Sequence, residues 1–182
     1  MHYLLLFSRL IDQVNGLIGR ALGWVALALV VLGVINVVGR YLGAQIGMQL
    51  SSNALLEAQT QAYNLIFLLA AAWLLARDYH IRVDILNTKL PRRLRLWIDI
   101  AGHALLLIPF CALMLWFSWD FVMRSWSRLE VSPHPEGLPL YPIKTVILIA
   151  FTMLLLQALS EIIKRVAALR RPVDDAGDTG AG

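Results

Sequence analysis

The chain has little with which to do covalent or metal chemistry. Its 182 residues include one cysteine, Cys111, set inside an apolar run. A lone thiol excludes an intrachain disulfide and a cysteine-based metal site. Four histidines, His2, His80, His103 and His134, are scattered without ligand spacing. A haem held between spans needs histidines on facing helices, and only His103 lies in an apolar stretch. There is no glycine-rich phosphate loop, zinc motif or nucleophile elbow. No cofactor, metal site or catalytic residue is therefore expected. Charge is scarce too, at 15% of residues against roughly 25% in soluble domains. The net charge of +4 comes from basic residues flanking apolar runs rather than forming a patch, which argues against a nucleic-acid partner.

What remains is hydrophobic. Apolar residues make up 59% of the chain and the mean hydropathy is +0.67, so an all-α integral membrane protein is expected. A hydrocarbon core of about 30 Å takes about 20 residues of helix. Four transmembrane helices follow, approximately at 20–40, 56–76, 97–119 and 140–161. Lys144 at the fourth can snorkel to the headgroups. One membrane domain is expected over 1–171, with 172–182 a disordered tail of Pro, Gly, Asp and small residues. Residues 3–18 read as an amphipathic helix with Leu6, Leu10, Val14 and Leu17 on one face. It is expected either to lie in the interface or to extend the first span. The first apolar run is too long for a signal peptide and has no convincing cleavage site.

Counting Lys and Arg orients the chain. Segments 1–20, 77–96 and 161–182 hold 2, 6 and 4, whereas 40–57 and 120–144 hold 1 and 3. Twelve against four places both termini and the middle connection in the cytoplasm. Trp24, Trp73, Tyr79 and Trp97 fall near that boundary, and Tyr41, Trp116, Trp119, Trp126 and Tyr141 near the other, as interfacial aromatics do.

Several polar groups stand out. Asn53, Glu57, Gln61 and Asn64 are spaced 4, 4 and 3 apart on one face of the second span. They read as a helix-partner contact or as solvated headgroup-level residues. Arg40, ending the first span, reads as an anchor or as a partner for Glu57. The strip Arg77-Asp78-Tyr79-His80-Ile81-Arg82-Val83-Asp84-Ile85-Leu86 alternates polar with apolar residues. It reads as an extended membrane-surface turn in which Asp78, His80, Arg82 and Asp84 hydrogen-bond among themselves. Arg95, Asp99 and His103 are one turn apart each, and a local ladder is expected there. Pro91 suits the start of a helix. Gly19-Arg20-Ala21-Leu22-Gly23 fits the small-xxx-small packing pattern. No pair of interrupted spans or inverted repeat marks a midplane transport site.

Three of these stretches, in order, resemble one family. Val37-Val38-Gly39-Arg40-Tyr41 ends the first span as in that family. Glu57 with Tyr63-Asn64-Leu65-Ile66-Phe67-Leu68-Leu69-Ala70-Ala71-Ala72 is similar to its second helix. Asp78-Tyr79-His80-Ile81-Arg82-Val83-Asp84-Ile85-Leu86 is similar to its turn, the most specific of the three. Gly137-Leu138-Pro139-Leu140-Tyr141-Pro142-Ile143-Lys144 resembles one branch of it. The family is the small membrane subunit of tripartite ATP-independent periplasmic (TRAP) transporters, and the likeness runs from about residue 8 to about residue 170. The resemblance implies a large multi-spanning membrane subunit and a periplasmic substrate-binding protein as partners. It also implies uptake of an organic acid driven by an ion gradient such as Na+, a scaffolding role for this chain, and a place in the bacterial inner membrane. The competing reading is a stand-alone homo-oligomeric channel or exporter. The fourth span, with only Thr145, Thr152, Gln157 and Ser160 polar, supplies a poor pore wall for it.

Overall fold

A computed structural model describes residues 2–47, 52–77, 91–135 and 137–170. Among the described residues, five α-helices run as α1 (His2–Ile46), α2 (Asn53–Ala76), α3 (Arg92–Gly102), α4 (Ile108–Ser127) and α5 (Tyr141–Arg170). A π-helical turn, His103–Leu107, joins α3 to α4. With those two counted as one, there are four helices long and apolar enough to cross a membrane. Arg20 and Arg40, Glu57 and Arg77, and Lys144 and Lys164 are each twenty positions apart. At 1.5 Å per residue each pair spans about 30 Å, the thickness of the hydrocarbon core.

Local chemistry sets the helix limits. Ser52 caps α2 by accepting the Leu55 N–H at 3.2 Å. Pro91 stands at the N-cap of α3, one position before the helix. The π turn has a simple cause. Pro109 has no N–H to donate and its ring crowds the carbonyl four residues back, so the turn before it widens. The Ile108 N–H reaches the His103 carbonyl, five residues back. At the far end of α4, Leu129 adopts φ +44°. Its N–H bonds the Trp126 carbonyl and the Glu130 N–H bonds the Ser125 carbonyl. That is a Schellman end with leucine where glycine is usual.

The amphipathic segment is helical and continuous with the first span. At 45 residues, α1 is about 67 Å long. Leu6, Leu10, Val14 and Leu17 are 46%, 57%, 47% and 62% exposed, while Ser8, Ile11 and Asn15 are buried. The face that packs is thus the polar one.

The helices do not close into a ring. α5 packs against α1, α2 and the third span, and α1 packs against α2. The third span rests on α5, with no comparable contact to α1 or α2 among the described residues. The α1–α2 crossing is close because Gly19 lies under the Trp73 ring, where any Cβ would collide. Gly23, the other half of the small-xxx-small pattern, has open space around it. The Arg77 guanidinium covers the same indole, 4.9 Å from its centroid.

At the end where α1 starts and α5 finishes, a polar network ties three helices together. The Ser8 and Ser160 hydroxyls are 2.6 Å apart, and Asn15 donates to Gln157 at 2.6 Å. Gln157 donates to Asp12 at 2.8 Å and to Glu161 at 3.1 Å. Lys164 binds Asp12 at 3.1 Å and also Glu161. Arg165 pairs with Glu161 within α5 and reaches across to Asp99 of α3 at 3.1 Å. The expected ladder on α3 is therefore corrected. His103 Nδ1 donates to the Asp99 backbone carbonyl at 2.5 Å, and the Asp99 carboxylate faces α5. Membrane depth explains the difference, since a carboxylate at a helix interface gains most from a cation that is itself sheltered from water.

Arg165 and Glu161 are 6% and 5% exposed. Removing one partner of such a pair leaves a buried charge and costs about 3–5 kcal/mol. Arg165→Leu should therefore lower the thermal midpoint of the detergent-solubilised protein far more than Ser8→Ala, whose lost neutral hydrogen bond is worth about 1 kcal/mol. Equal, small shifts would count against the network as the main lock.

Candidate functional site

The polar stripe of α2 meets the other end of the molecule. The segment between α4 and α5 folds as a short hairpin, with Val131 and Pro139 paired antiparallel. The Ser132 N–H reaches the Leu138 carbonyl at 3.1 Å and the Leu140 N–H the Glu130 carbonyl at 2.9 Å. Its tip is closed by the Gly137 N–H on the His134 carbonyl at 3.0 Å. A Cβ at Gly137 would lie 2.7 Å from the Ser132 carbonyl oxygen and 2.9 Å from that of His134, so only glycine fits.

Glu57, in the second turn of α2, holds this hairpin. Its Oε2 accepts the Leu138 N–H at 2.6 Å, its Oε1 accepts the Ser132 hydroxyl, and His134 Nδ1 lies 3.7 Å away. One turn on, Gln61 donates to the Pro139 carbonyl at 3.2 Å. The hairpin is also tied to α5. Glu130 pairs with Lys144, whose ammonium sits 4.3 Å from the Phe121 ring centroid. Trp126 donates to the Thr145 hydroxyl at 2.8 Å and packs against Tyr141 with centroids 4.7 Å apart. Beneath the hairpin, Asn53, Glu57, Thr60, Gln61, Asn64 and Ile143 help line an open cleft of about 320 Å³.

The structure thus brings together four of the sequence candidates, Asn53, Glu57, Gln61 and Asn64. Arg40 is exposed and is not among the groups that bind Glu57, whose bonds go to the hairpin; the Arg40–Glu57 pair is replaced by a carboxylate–loop clamp. Asp78, His80, Arg82 and Asp84 lie outside the described residues. Sequence reasoning missed the pairing of Ser8, Asp12 and Asn15 with Gln157, Ser160 and Lys164. The signal was there in two stripes at helical spacing, 8-12-15 and 157-160-164, but neither points to the other. Among the described residues, no group of His, Cys, Asp and Glu is placed to hold a metal ion.

The clamp is open to direct test. Gly137→Ala should displace Leu138 from Glu57, and Glu57→Ala should release the hairpin outright. In both variants the Leu138 amide should pass from protected to freely exchanging in hydrogen-exchange mass spectrometry, with the α5 core unchanged. The Lys144 hydrogen bond holds the Glu130 carboxyl below its ordinary range. A lowered carboxyl stabilises above its unfolded value, about 4.3 for Glu, and that contribution fades as pH falls further. Hairpin protection should therefore be full at neutral pH and decline below about pH 4, and Glu130→Gln should flatten that decline.

Comparison with known proteins agrees with this architecture. The family model described as "Tripartite ATP-independent periplasmic transporters, DctQ component" matches residues 29–168. No curated protein and no solved structure matches the chain. The match takes in part of α1, all of α2, α3 and α4, and nearly all of α5, and so covers well over half of the chain. The chain belongs to the DctQ family, the small membrane subunits of TRAP transporters.

Proposed function

We propose that this chain is the fixed, non-catalytic scaffold of a TRAP-type secondary transporter in the bacterial inner membrane. It would brace a large permease subunit that carries out ion-gradient-driven, Na+-coupled uptake of an organic acid delivered by a periplasmic binding protein. The family match carries the transporter assignment, and the two clamps support the scaffold role. Helices locked by ion pairs and hydrogen bonds at both ends resist sliding past one another. Their locks lie about 30 Å apart along α5, from Lys144 to Lys164. A subunit of fixed height suits a neighbour that must move relative to the bilayer.

The excess of Lys and Arg in 1–20, 77–96 and 161–182 favours cytoplasmic termini. That arrangement puts the hairpin on the periplasmic side, where a delivering protein would pass. The amphipathic start of α1, 172–182 as a tail, and Asp78, His80, Arg82 and Asp84 as a surface turn complete the proposed layout.

Co-expression with the neighbouring reading frames tests this reading. A large multi-spanning protein should co-purify stoichiometrically, and organic-acid uptake should require both this chain and a sodium gradient. Recovery of a clean homo-oligomer alone would instead support a stand-alone channel. Green fluorescent protein fused after Gly182 should fluoresce in cells, as it does when it folds in the cytoplasm.

A further inference from the structure

The exposed faces of the spans differ sharply in chemistry. On the third span Leu105, Leu106, Phe110, Leu113, Trp116 and Phe117 are 72%, 73%, 50%, 56%, 78% and 71% exposed. This face is apolar, as a surface against lipid tails should be. On α1 the exposed mid-span residues, from Leu27 to Val38, are also apolar. The outward face of α2 is mixed. Leu56, Tyr63 and Phe67 are 42%, 59% and 69% exposed, and Asn53, Thr60 and Asn64 are exposed among them. Their positions, 53, 56, 60, 63, 64 and 67, recur at three and four residues and so form one stripe.

Depth makes this stripe informative. Asn64 is seven residues along α2 from Glu57, which places it about 10 Å into the span. Exposed threonines at depth have an internal remedy. Thr60 returns its hydroxyl to the Leu56 carbonyl at 3.1 Å, and Thr152 to Leu148 at 2.7 Å. The exposed Asn64 amide presents two donors and an acceptor outward instead. Hydrocarbon offers it no partner, and polar atoms left bare at that depth are costly. Beside it, Tyr63 and Phe67 stack with centroids 6.4 Å apart, making a stiff aromatic step. The cleft runs from Asn64 up to Ser132 and His134 of the hairpin, giving a recess for a side chain from outside.

We propose that this face of α2, with the cleft beneath the hairpin, docks a transmembrane helix of the large membrane subunit that presents hydrogen-bonding side chains or an open carbonyl at the depth of Asn64. The inference rests on the scaffold reading above and adds which side of the scaffold is covered. The third span's outer face remains against lipid. The partner helix bonds Asn64, packs on the Tyr63–Phe67 step and inserts a side chain between α2 and the start of α5. Glu57 and Gln61 contribute indirectly, by holding the hairpin over the recess.

Site-specific photo-crosslinking in the co-expressed complex distinguishes the surfaces. The aromatic probe p-benzoylphenylalanine is placed at Tyr63, at Phe67 or, for comparison, at Phe117. All three are exposed aromatic residues, so the substitution disturbs packing little. Adducts joining this chain to the large subunit are expected from 63 and 67 and not from 117. Asn64→Leu should reduce recovery of the large subunit several-fold, while Leu106→Ala should leave it unchanged. An adduct from 117 alone, or none from any position although the large subunit co-purifies, overturns the assigned face and leaves the scaffold reading standing. An adduct from 63 or 67 to a second copy of this 20.4 kDa chain overturns it in favour of self-association. Failure of any large subunit to co-purify with the unmodified chain defeats the scaffold reading itself.

Discussion

Arg165 is the contact on which the arrangement of the spans turns. The third span meets the rest of the protein along α5, and near the terminal end Arg165 reaches Asp99 of α3 while holding Glu161 on its own helix. Glu161 in turn shares Lys164 and Gln157 with the α1 group of Asp12 and Asn15. One chain of charge-assisted bonds therefore joins three helices. Apolar packing alone distinguishes poorly between helix neighbours in lipid, because the surrounding acyl chains are as apolar as leucine. Polar pairs at fixed heights choose the neighbours and set their vertical register.

The opposite end uses different means for the same purpose. There the tie runs from a helix to a loop. Glu57 reads two hairpin groups at once, a hydroxyl and a backbone N–H, and Gln61 reads a third, the Pro139 carbonyl. The hairpin is shaped to meet them by Gly137, where the backbone crosses itself too closely for a side chain, and by the prolines around it. Two rigid ends about 30 Å apart on α5 leave the middle of the protein to simple side-chain packing, while Gly19 beneath Trp73 brings α1 close to α2 near the terminal end. A body of this kind suits the proposed role of a stationary partner to a moving subunit.

Much of this was readable from the chain. Four uncharged runs announced the spans, and the Asn53–Glu57–Gln61–Asn64 spacing announced a shared helix face, which lines one cleft. The structure decided three points that the sequence left open or placed elsewhere. Glu57 binds the hairpin rather than Arg40, because a loop 75 residues away in sequence lies against it. Asp99 pairs with Arg165 of α5, a cation sheltered between the helices. Residues 2–18 belong to the same helix as the first span, one of the two readings the sequence left open, and their polar side is the packed one.

Hydropathy is a sum over neighbouring residues, since each side chain's transfer from water to lipid is nearly independent of the others. For that reason the sequence alone determined the number of helices able to span a membrane, and its local motifs pointed to the family. Pairing has no such local basis. Ser8 meets Ser160 across 152 positions and Asn15 meets Gln157 across 142, and nothing in either stripe names the other. Which polar group answers which, and which side chains stay exposed, was decided only when the helices took their places around α5.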